Sequence, residues 1–572
     1  MISENELRRQ LKSIDRKSYP AYKSLTGSVR FSSYILSIDH VQGDPFASPS
    51  HLTAHIDLKA AGFPEAYLTQ RHRRVALADY LLRKFSRQLS SFAFSAKGSG
   101  KSGFLGVSRC GQEVLERTAC EITDREIAIR FFVGFPAAGR TILAGELEKI
   151  LFEILPPCIE KIFFYRSLPA KEIKEVIALA EDQFFLRREI RKRGLVAFIA
   201  DGSVLPRESG VSDRPMKDGI AFESPESLAV TLELPNRGAT RGMGIPKGIT
   251  LIAGGGYHGK STVLKALERG VYNHIAGDGR EYVVTDDSAV KLRAEDGRKI
   301  TDADISMFIH DLPNKKDTRR FTTPDASGST SQAANIVEAM EAGSRLFLID
   351  EDTSATNFMI RDDLMQKVIA RDKEPITPFL ERARDLYEQA DISSILVVGS
   401  SGAYFYLADR IIQMDQYHPV DITERVRAIC RTAESPSLHA PDFHLPDMNR
   451  GFSFLSGNAR NASQGGRRGG GKYEHAKIKL QGSTAFSLDK SALDLRYLEQ
   501  LADSEQTAAL AHLLRFAMEN YKGSAMTCSQ IVRQLADRLD KEGLSFLSGS
   551  SYTASGLAMP RIQEIFACFF RV

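Results

Sequence analysis

A multi-domain α/β chain organised around a phosphate-binding loop is what this sequence predicts, and three observations predict it. The chain has 572 residues, about three or four domains at roughly 100–200 residues per domain. From about residue 215 to 430, helical and strand patterns alternate, as in a parallel sheet covered by helices. Within that region one apolar run, Ile249–Ala253, empties into a glycine-rich loop, Gly254–Ser261, reading G-G-G-Y-H-G-K-S.

The elements follow in chain order. Residues 1–205 mix both periodicities, which predicts an α+β N-terminal domain. Val75–Leu89 has apolar residues at helical spacing, Glu126–Val133 reads as a strand and Phe135–Arg140 as a turn. Glu172–Arg193 reads as one helix with a very basic end. Gly202–Ser212, rich in Pro, Gly and Ser, is a plausible boundary. The loop-bearing core then runs over 206–435, with Ser227–Leu234 alternating as a strand. A Gly/Arg-rich linker occupies 436–475, and 476–572 reads as a mainly helical C-terminal domain.

Composition sets outer limits. Apolar residues make up 42% and charged residues 26%, so ordinary cores can form. With 76 basic against 72 acidic side chains, a wholly basic nucleic-acid coat is excluded, but a local basic surface is not. The six cysteines show no C-x-x-C spacing and read as reduced thiols of a cytoplasmic protein. The polar start predicts no signal peptide, and no apolar stretch approaches the ~18 residues of a membrane span, so no membrane domain is expected.

Triphosphate chemistry explains the loop. Glycines let backbone N–H groups turn around phosphates, a helix N-terminus adds its positive end, a lysine reaches the β- and γ-phosphates, and a hydroxyl holds Mg²⁺. Gly254, Gly259, Lys260 and Ser261 fit G-x-x-x-x-G-K-[ST] in full, and Gly255, Gly256, Tyr257, His258 and Thr262 complete the expected ATP-binding stretch. The alternative is a glycine turn matching by chance. A second stretch, Ser95–Ser102, imitates the first but begins on serine; it reads as a basic loop that touches phosphate, if any, of nucleotide or nucleic acid. Leu346–Asp350 is an apolar strand delivering an acid suited to Mg²⁺, and Glu351 beside it is the expected general base. The bland alternative is a core strand ending in a polar turn.

The spacing of further motifs resembles the ATP-binding-cassette (ABC) ATPases. Ser327-Gly328-Ser329-Thr330 begins 23 residues before Asp350, where that family places its signature. Asp350–Asn357 resembles the acid pair and the loop after it; Ile395–Ser400 and Ala408–Ile412 resemble the switch strand and its sequel. Nearly the whole chain is similar to a group described as predicted ATPases of the ABC class, through Tyr19–Ser28, Ile38–Ser50 and Arg241–Gly248; a kinetoplastid RNA-editing factor is related to it. The resemblance implies an ABC-type P-loop fold, ATP and Mg²⁺ as cofactors, and a homodimer in which Ser327, Gly328 and Ser329 of one copy cap the ATP of the other. Ser261, Asp350 and His310 then serve the metal, and Glu351 with Ser400 the chemistry. Departures stand out. The signature ends Ser-Thr, Asp352 replaces a usual proline, and Ser400 (or Ser401) stands where a histidine is usual, which predicts slow hydrolysis. Phe222 is a candidate for stacking on adenine or an ordinary core residue.

Three functions compete. The first is an ATPase whose dimer closure grips RNA or single-stranded DNA, with Arg187, Arg188, Arg191, Lys192, Arg193, Arg467 and Arg468 as phosphate contacts; the alternative for these residues is a solvated helix end and a plain linker. The second is a protein assembly switch with negligible turnover and no nucleic acid. The third, a small-molecule kinase, has no use for a signature.

Overall fold

Alternating apolar residues decide the first half of the chain. The structure, a computed structural model, describes residues 1–361, 368, 373–433, 435, 440–452, 476–489, 491–521, 523–548 and 552–572; Arg467 and Arg468 lie outside them. The chain divides into two units, Met1–Asp182 with Leu544–Met559, and Gln183–Gly543 with Pro560–Val572.

In the first unit the strands Gly27–Arg30, Ile35–His40, Ser50–Asp57 and Glu126–Val133 pair antiparallel in that order. Ile127, Ile129, Phe131 and Val133 of the last point to one buried face, as a period of two requires. Helix Arg71–Ser90 covers that face with Leu77, Leu81, Phe85 and Leu89, all fully buried. Phe85 meets Phe131 and Phe163 edge-on, at 5.6 and 5.2 Å between ring centres. The expected turn Phe135–Arg140 closes a small hairpin, Ala137–Ala138 against Thr141–Ile142.

Helix Ala170–Lys192 carries the division between the units, between Asp182 and Gln183. The Pro/Gly-rich stretch near residue 205 does not carry it. The reason is the strand Leu195–Ala200, which pairs with Gly238–Pro246 and Val283–Thr285 of the second unit.

The second unit holds the six-stranded sheet that positions the site. In chain order its strands are β1 (Ile249–Ala253), β2 (Val290–Leu292), β3 (Leu346–Asp350), β4 (Ser393–Val397), β5 (Arg410–Asp415) and β6 (His418–Asp421). Their spatial order is β2-β3-β4-β1-β5-β6, parallel except for the β5–β6 hairpin. β1, β3 and β4 are buried throughout and read as continuous apolar runs because helices cover both faces. The covering helices include α1 (Lys260–Arg269), α2 (Gly328–Glu341) and α3 (Phe379–Ala390). After a three-stranded meander over Ile478–Asp494 come α4 (Ser504–Asn520), α5 (Cys528–Glu542) and α6 (Ile562–Phe570). The meander opens what reads in sequence as a mainly helical tail. Among the described residues no helix is long and apolar enough to cross a membrane, and all six cysteines are free.

Candidate nucleotide site

Register brings the motifs to one level. Ile252 pairs with Val397 and Asp350 pairs with Val397, so the loop after β1, the acids after β3 and the turn after β4 emerge together. That is the carboxyl edge of the parallel strands, where such sheets bind ligands.

The loop itself depends on two glycines. Gly254 has φ +139°, and a Cβ there would lie 2.6 Å from the Met414 carbonyl oxygen; Gly259 has φ +97° and would meet the Tyr417 ring at 2.9 Å. Only glycine tolerates both the conformation and the approach. Gly259 caps α1, so the helix dipole and its first N–H groups open onto the loop. Tyr257 also sits in the left-handed region, at φ +65°, with its side chain wholly in solvent. The hairpin β5–β6 clamps the loop from the side: Gln416 N–H donates to His258 Nδ1 at 2.9 Å, and Tyr417 N–H to the His258 carbonyl at 3.1 Å. The Lys260 ammonium donates to the carbonyls of Gly254 and Gly255, at 2.6 and 2.7 Å. It thus lies across the mouth of the loop, the place an incoming phosphate would take over.

Asp350 is buried at the end of β3, and burial raises its carboxyl, an effect that Lys291 on the neighbouring strand opposes. Glu351 is held differently. Its Oε2 accepts from the N–H groups of Gly399 and Ser400, at 2.6 and 3.0 Å, and its Oε1 accepts the Ser400 hydroxyl. Burial alone would raise this carboxyl; the Ser400 hydroxyl and the two N–H donors outweigh it and hold it below its ordinary value. Ser400 therefore meets the expected base directly. Ser401 Oγ is buried with no hydrogen-bond partner among the described residues.

The signature residues open α2. Ser327 is the N-cap, its Oγ accepting from Thr330 N–H, and Gly328 leaves room for Asp296, whose carboxylate would lie 3.1 Å from an added Cβ. One turn on, Gln332 ties this helix to the segment after the acids: its Oε1 accepts from Ala355 N–H at 2.9 Å and its Nε2 donates to Ser354 Oγ at 3.0 Å. The sequence offers no signal for Gln332. His310 bonds Thr377 Oγ1 at 3.1 Å and Asp311 at 3.3 Å; none of these contacts leads to the glycine loop. Among the described residues no cluster of three or more His, Cys, Asp or Glu side chains is arranged for a metal. A hydroxyl, one carboxylate and phosphate oxygens are the donor set Mg²⁺ accepts when it keeps most of its waters, and Ser261 with Asp350 fits that set.

Beside the loop lies an apolar cavity of about 220 Å³. Gly259, Thr262, Val263, Phe222, Met414 and Tyr417 are among the residues that line it. Phe222 is thus both a buried core residue and a wall of the cavity next to the phosphate loop.

Of the basic helix end, Arg187 is committed inward and Arg188, Arg191, Lys192 and Arg193 are exposed. Arg187 donates to Asn273 Oδ1 (3.1 and 3.2 Å) and to the Thr285 carbonyl (3.1 Å), and burial lowers its guanidinium to about 10. Arg191 pairs with Asp287, Arg193 with Glu189, and Lys192 lies 3.8 Å from Glu189. Arg188 lies over the Phe184 ring. The expected nucleic-acid contact at Arg187 is corrected by this geometry, because intramolecular acceptors take its donors. The remaining cations stay at the surface.

Comparison with known proteins covers the chain in three pieces. A P-loop domain, ABC_ATPase, matches residues 169–448. The N-terminal part of ATPases of the ABC class matches 4–166, and the MRB1590 C-terminal domain matches 477–572. An uncharacterized protein of Methanocaldococcus jannaschii, MJ1628, is 30% identical over 280 residues, which is 47% of this chain and 61% of that protein's own length. Among solved structures, cbiO1 of Clostridium perfringens, part of an ABC transporter complex, is similar with 12% identity over 42% of this chain and 93% of that one, at a TM-score of 0.27. MJ1267 in its ADP conformation, an ATP-binding cassette of an ABC transporter, is similar with 10% identity over 41% and 94%, at a TM-score of 0.25.

Proposed function

From a chain that belongs to the ATPases of the ABC class, we propose a slow ATPase that uses nucleotide state to open and close a grip on single-stranded nucleic acid. The observation that carries this reading is the meeting of Lys260, Asp350, Glu351 and Ser400 at one edge of the sheet. ATP takes its phosphates from Gly254–Thr262, with the Lys260 ammonium moving from the loop carbonyls to the phosphates. The apolar cavity beside Phe222 and Tyr417 receives the base. Ser261 and Asp350 hold Mg²⁺, which when bound neutralises charge between the β- and γ-phosphates. Glu351 accepts the proton of the attacking water, and Ser327–Ser329 of a second copy cover the γ-phosphate.

Turnover is slow for a physical reason. Glu351 has three donors to release or share before it takes a proton, and a serine hydroxyl, unlike an imidazolium, brings no positive charge to the transferred phosphoryl group. The same observation favours a second reading, an assembly switch with a protein partner and negligible turnover. Phosphate release measured with RNA, single-stranded DNA and duplex DNA, beside direct binding, separates the two. Stimulation by a single strand supports the grip. ATP binding with no turnover and no nucleic-acid affinity supports the switch.

A further inference from the structure

The stretch Ser95–Ser102 looks in sequence like a second phosphate loop, and its backbone shows otherwise. The N–H groups of Ser95, Lys97, Ser99, Lys101, Ser102 and Gly103 all donate to protein acceptors, among them Glu146, the Ala137 carbonyl and the Pro45 carbonyl. Amides spent in this way cannot cradle a phosphate. What the loop does instead is hold side chains outward in a fixed arrangement. Gly98, Gly100 and Gly103 take positive φ values, and a Cβ on Gly100 would strike Pro45 and the Phe46 ring, so the loop is pressed against the segment that carries Phe46.

Two large apolar rings stand in solvent at the borders of this loop. Phe46 is 63% exposed and Phe94 is 60% exposed. Phe94 adopts φ +61°, which costs a non-glycine residue free energy, and its N–H donates to Gly103 across the base of the loop. The ammonium groups of Lys97 and Lys101 make no hydrogen bond or ion pair among the described residues. The acids nearby are already matched: Asp44 with Arg140 and Glu146 with Lys149, at 2.6 Å each. Glu146 also feels the Lys97 charge, while no acid pairs with Lys101 among the described residues. The surface therefore combines exposed rings with lysine ammonium groups free of hydrogen bonds, on a loop whose shape is fixed in advance.

We infer that this face of the first unit, bordered by Phe46 and Phe94 and carrying Lys97 and Lys101, is where unpaired bases of a single-stranded nucleic acid stack. Rings take bases of any sequence and lysines track the backbone phosphates, which is the combination single strands require. A rigid loop lowers the ordering cost of binding. The inference rests on the proposed grip and supplies its contact surface, in place of the basic helix end.

The test uses the full chain and fluorescence anisotropy with three labelled 15-mers: oligo-uridylate RNA, oligo-thymidylate DNA, and an abasic deoxyribose-phosphate strand. The wild type binds one or both base-bearing strands and binds the abasic strand at least tenfold more weakly; the RNA and DNA arms show which is preferred. Phe46→Ala and Phe94→Ala each weaken binding of the preferred strand roughly tenfold. Lys97→Gln with Lys101→Gln flattens the log–log salt slope by about 1.4. ATP affinity, read with a labelled nucleotide, stays unchanged in every variant and reports that the chain is folded. If the wild type binds a single strand and the phenylalanine variants bind it equally well, this surface is wrong while the proposed grip survives. If the abasic strand binds as tightly as the others, stacking is wrong. If the wild type binds no single strand, the grip itself fails.

Discussion

Glu351 and Ser400 form the contact on which the proposed turnover depends. The hydroxyl and two N–H donors hold the Glu351 carboxyl below its ordinary value and so favour its ionised form. Ser400→Ala removes the hydroxyl and lets the Glu351 pKa rise toward its ordinary value. A base works above its pKa, so the acid limb of the kcat profile moves to higher pH, as phosphate release across a pH series will show. Stability follows the same sign. A carboxyl depressed on folding stabilises above its unfolded pKa and loses that contribution as pH falls through the folded value; the variant loses part of it. Glu351→Gln is expected to keep ATP affinity and lower turnover by roughly 10²–10⁴, the usual worth of a general base. Lys260→Ala is expected to weaken ATP binding about 10–150-fold, the loss of charge-assisted bonds to phosphate. The fold should survive it, since the hydrogen bonds of Lys260 go to its own loop and its charge otherwise acts on Glu351 of the same site; circular dichroism beside nucleotide titration checks both halves.

At the scale of elements, α2 is held by charge from outside the sheet. Glu338 accepts from Arg298 and, at 3.1 Å, from Arg450; Arg450 also lies 2.9 Å from Glu341, and Arg571 donates to Glu295 at 2.5 Å. All six are more than nine-tenths buried. Breaking one member strands an uncompensated charge. Arg450→Met is expected to cost about 3–5 kcal/mol, with Glu341→Gln in the same chain returning part of it, as paired denaturant melts will show. This network marks the limit of what the sequence discloses. Ile249–Ala253 and Leu346–Asp350 are legible because apolar runs ending in glycine or acid announce themselves, and the interval from Ser327 to Asp350 needs only counting. Arg187 is misread because a cation on a helix end looks solvated until the strand beside it is known. Gln332, Arg450 and Arg571 are not legible at all, because their partners lie from about twenty to well over a hundred residues away and no local pattern records a long-range pair.

On the scale of the whole molecule, the C-terminal residues are structural members of both units. Leu544–Met559 packs in the first unit and Pro560–Val572 in the second. Within the second unit, Gln500 takes Lys291 N–H at 2.9 Å and donates to the carbonyls of Glu268 and Ala289, while Glu499 receives Lys265 of α1 and Arg293. The phosphate-loop helix thus rests on the segment that leads into α4. Gln500→Ala is expected to leave several buried donors and acceptors unpaired, at about 1–3 kcal/mol for each such group, and to weaken ATP affinity along with the fold. An unchanged melt with full nucleotide affinity would show that this support is dispensable.

The buried pairs around α2 also put a clock on synthesis. Glu338 is made 233 residues before Arg571, an interval of roughly 10–50 s at the usual ~5–20 residues per second. Until then Glu295 has no Arg571, and Glu341 waits for Arg450 for about half as long, while Glu338 has Arg298 from the outset. A carboxylate without its counter-ion resists leaving water, so the end of α2 that carries Glu341 is expected to stay wet until Arg450 is made. A nascent chain stalled before Arg450 is then expected to be cut by protease within α2 where the finished protein is not.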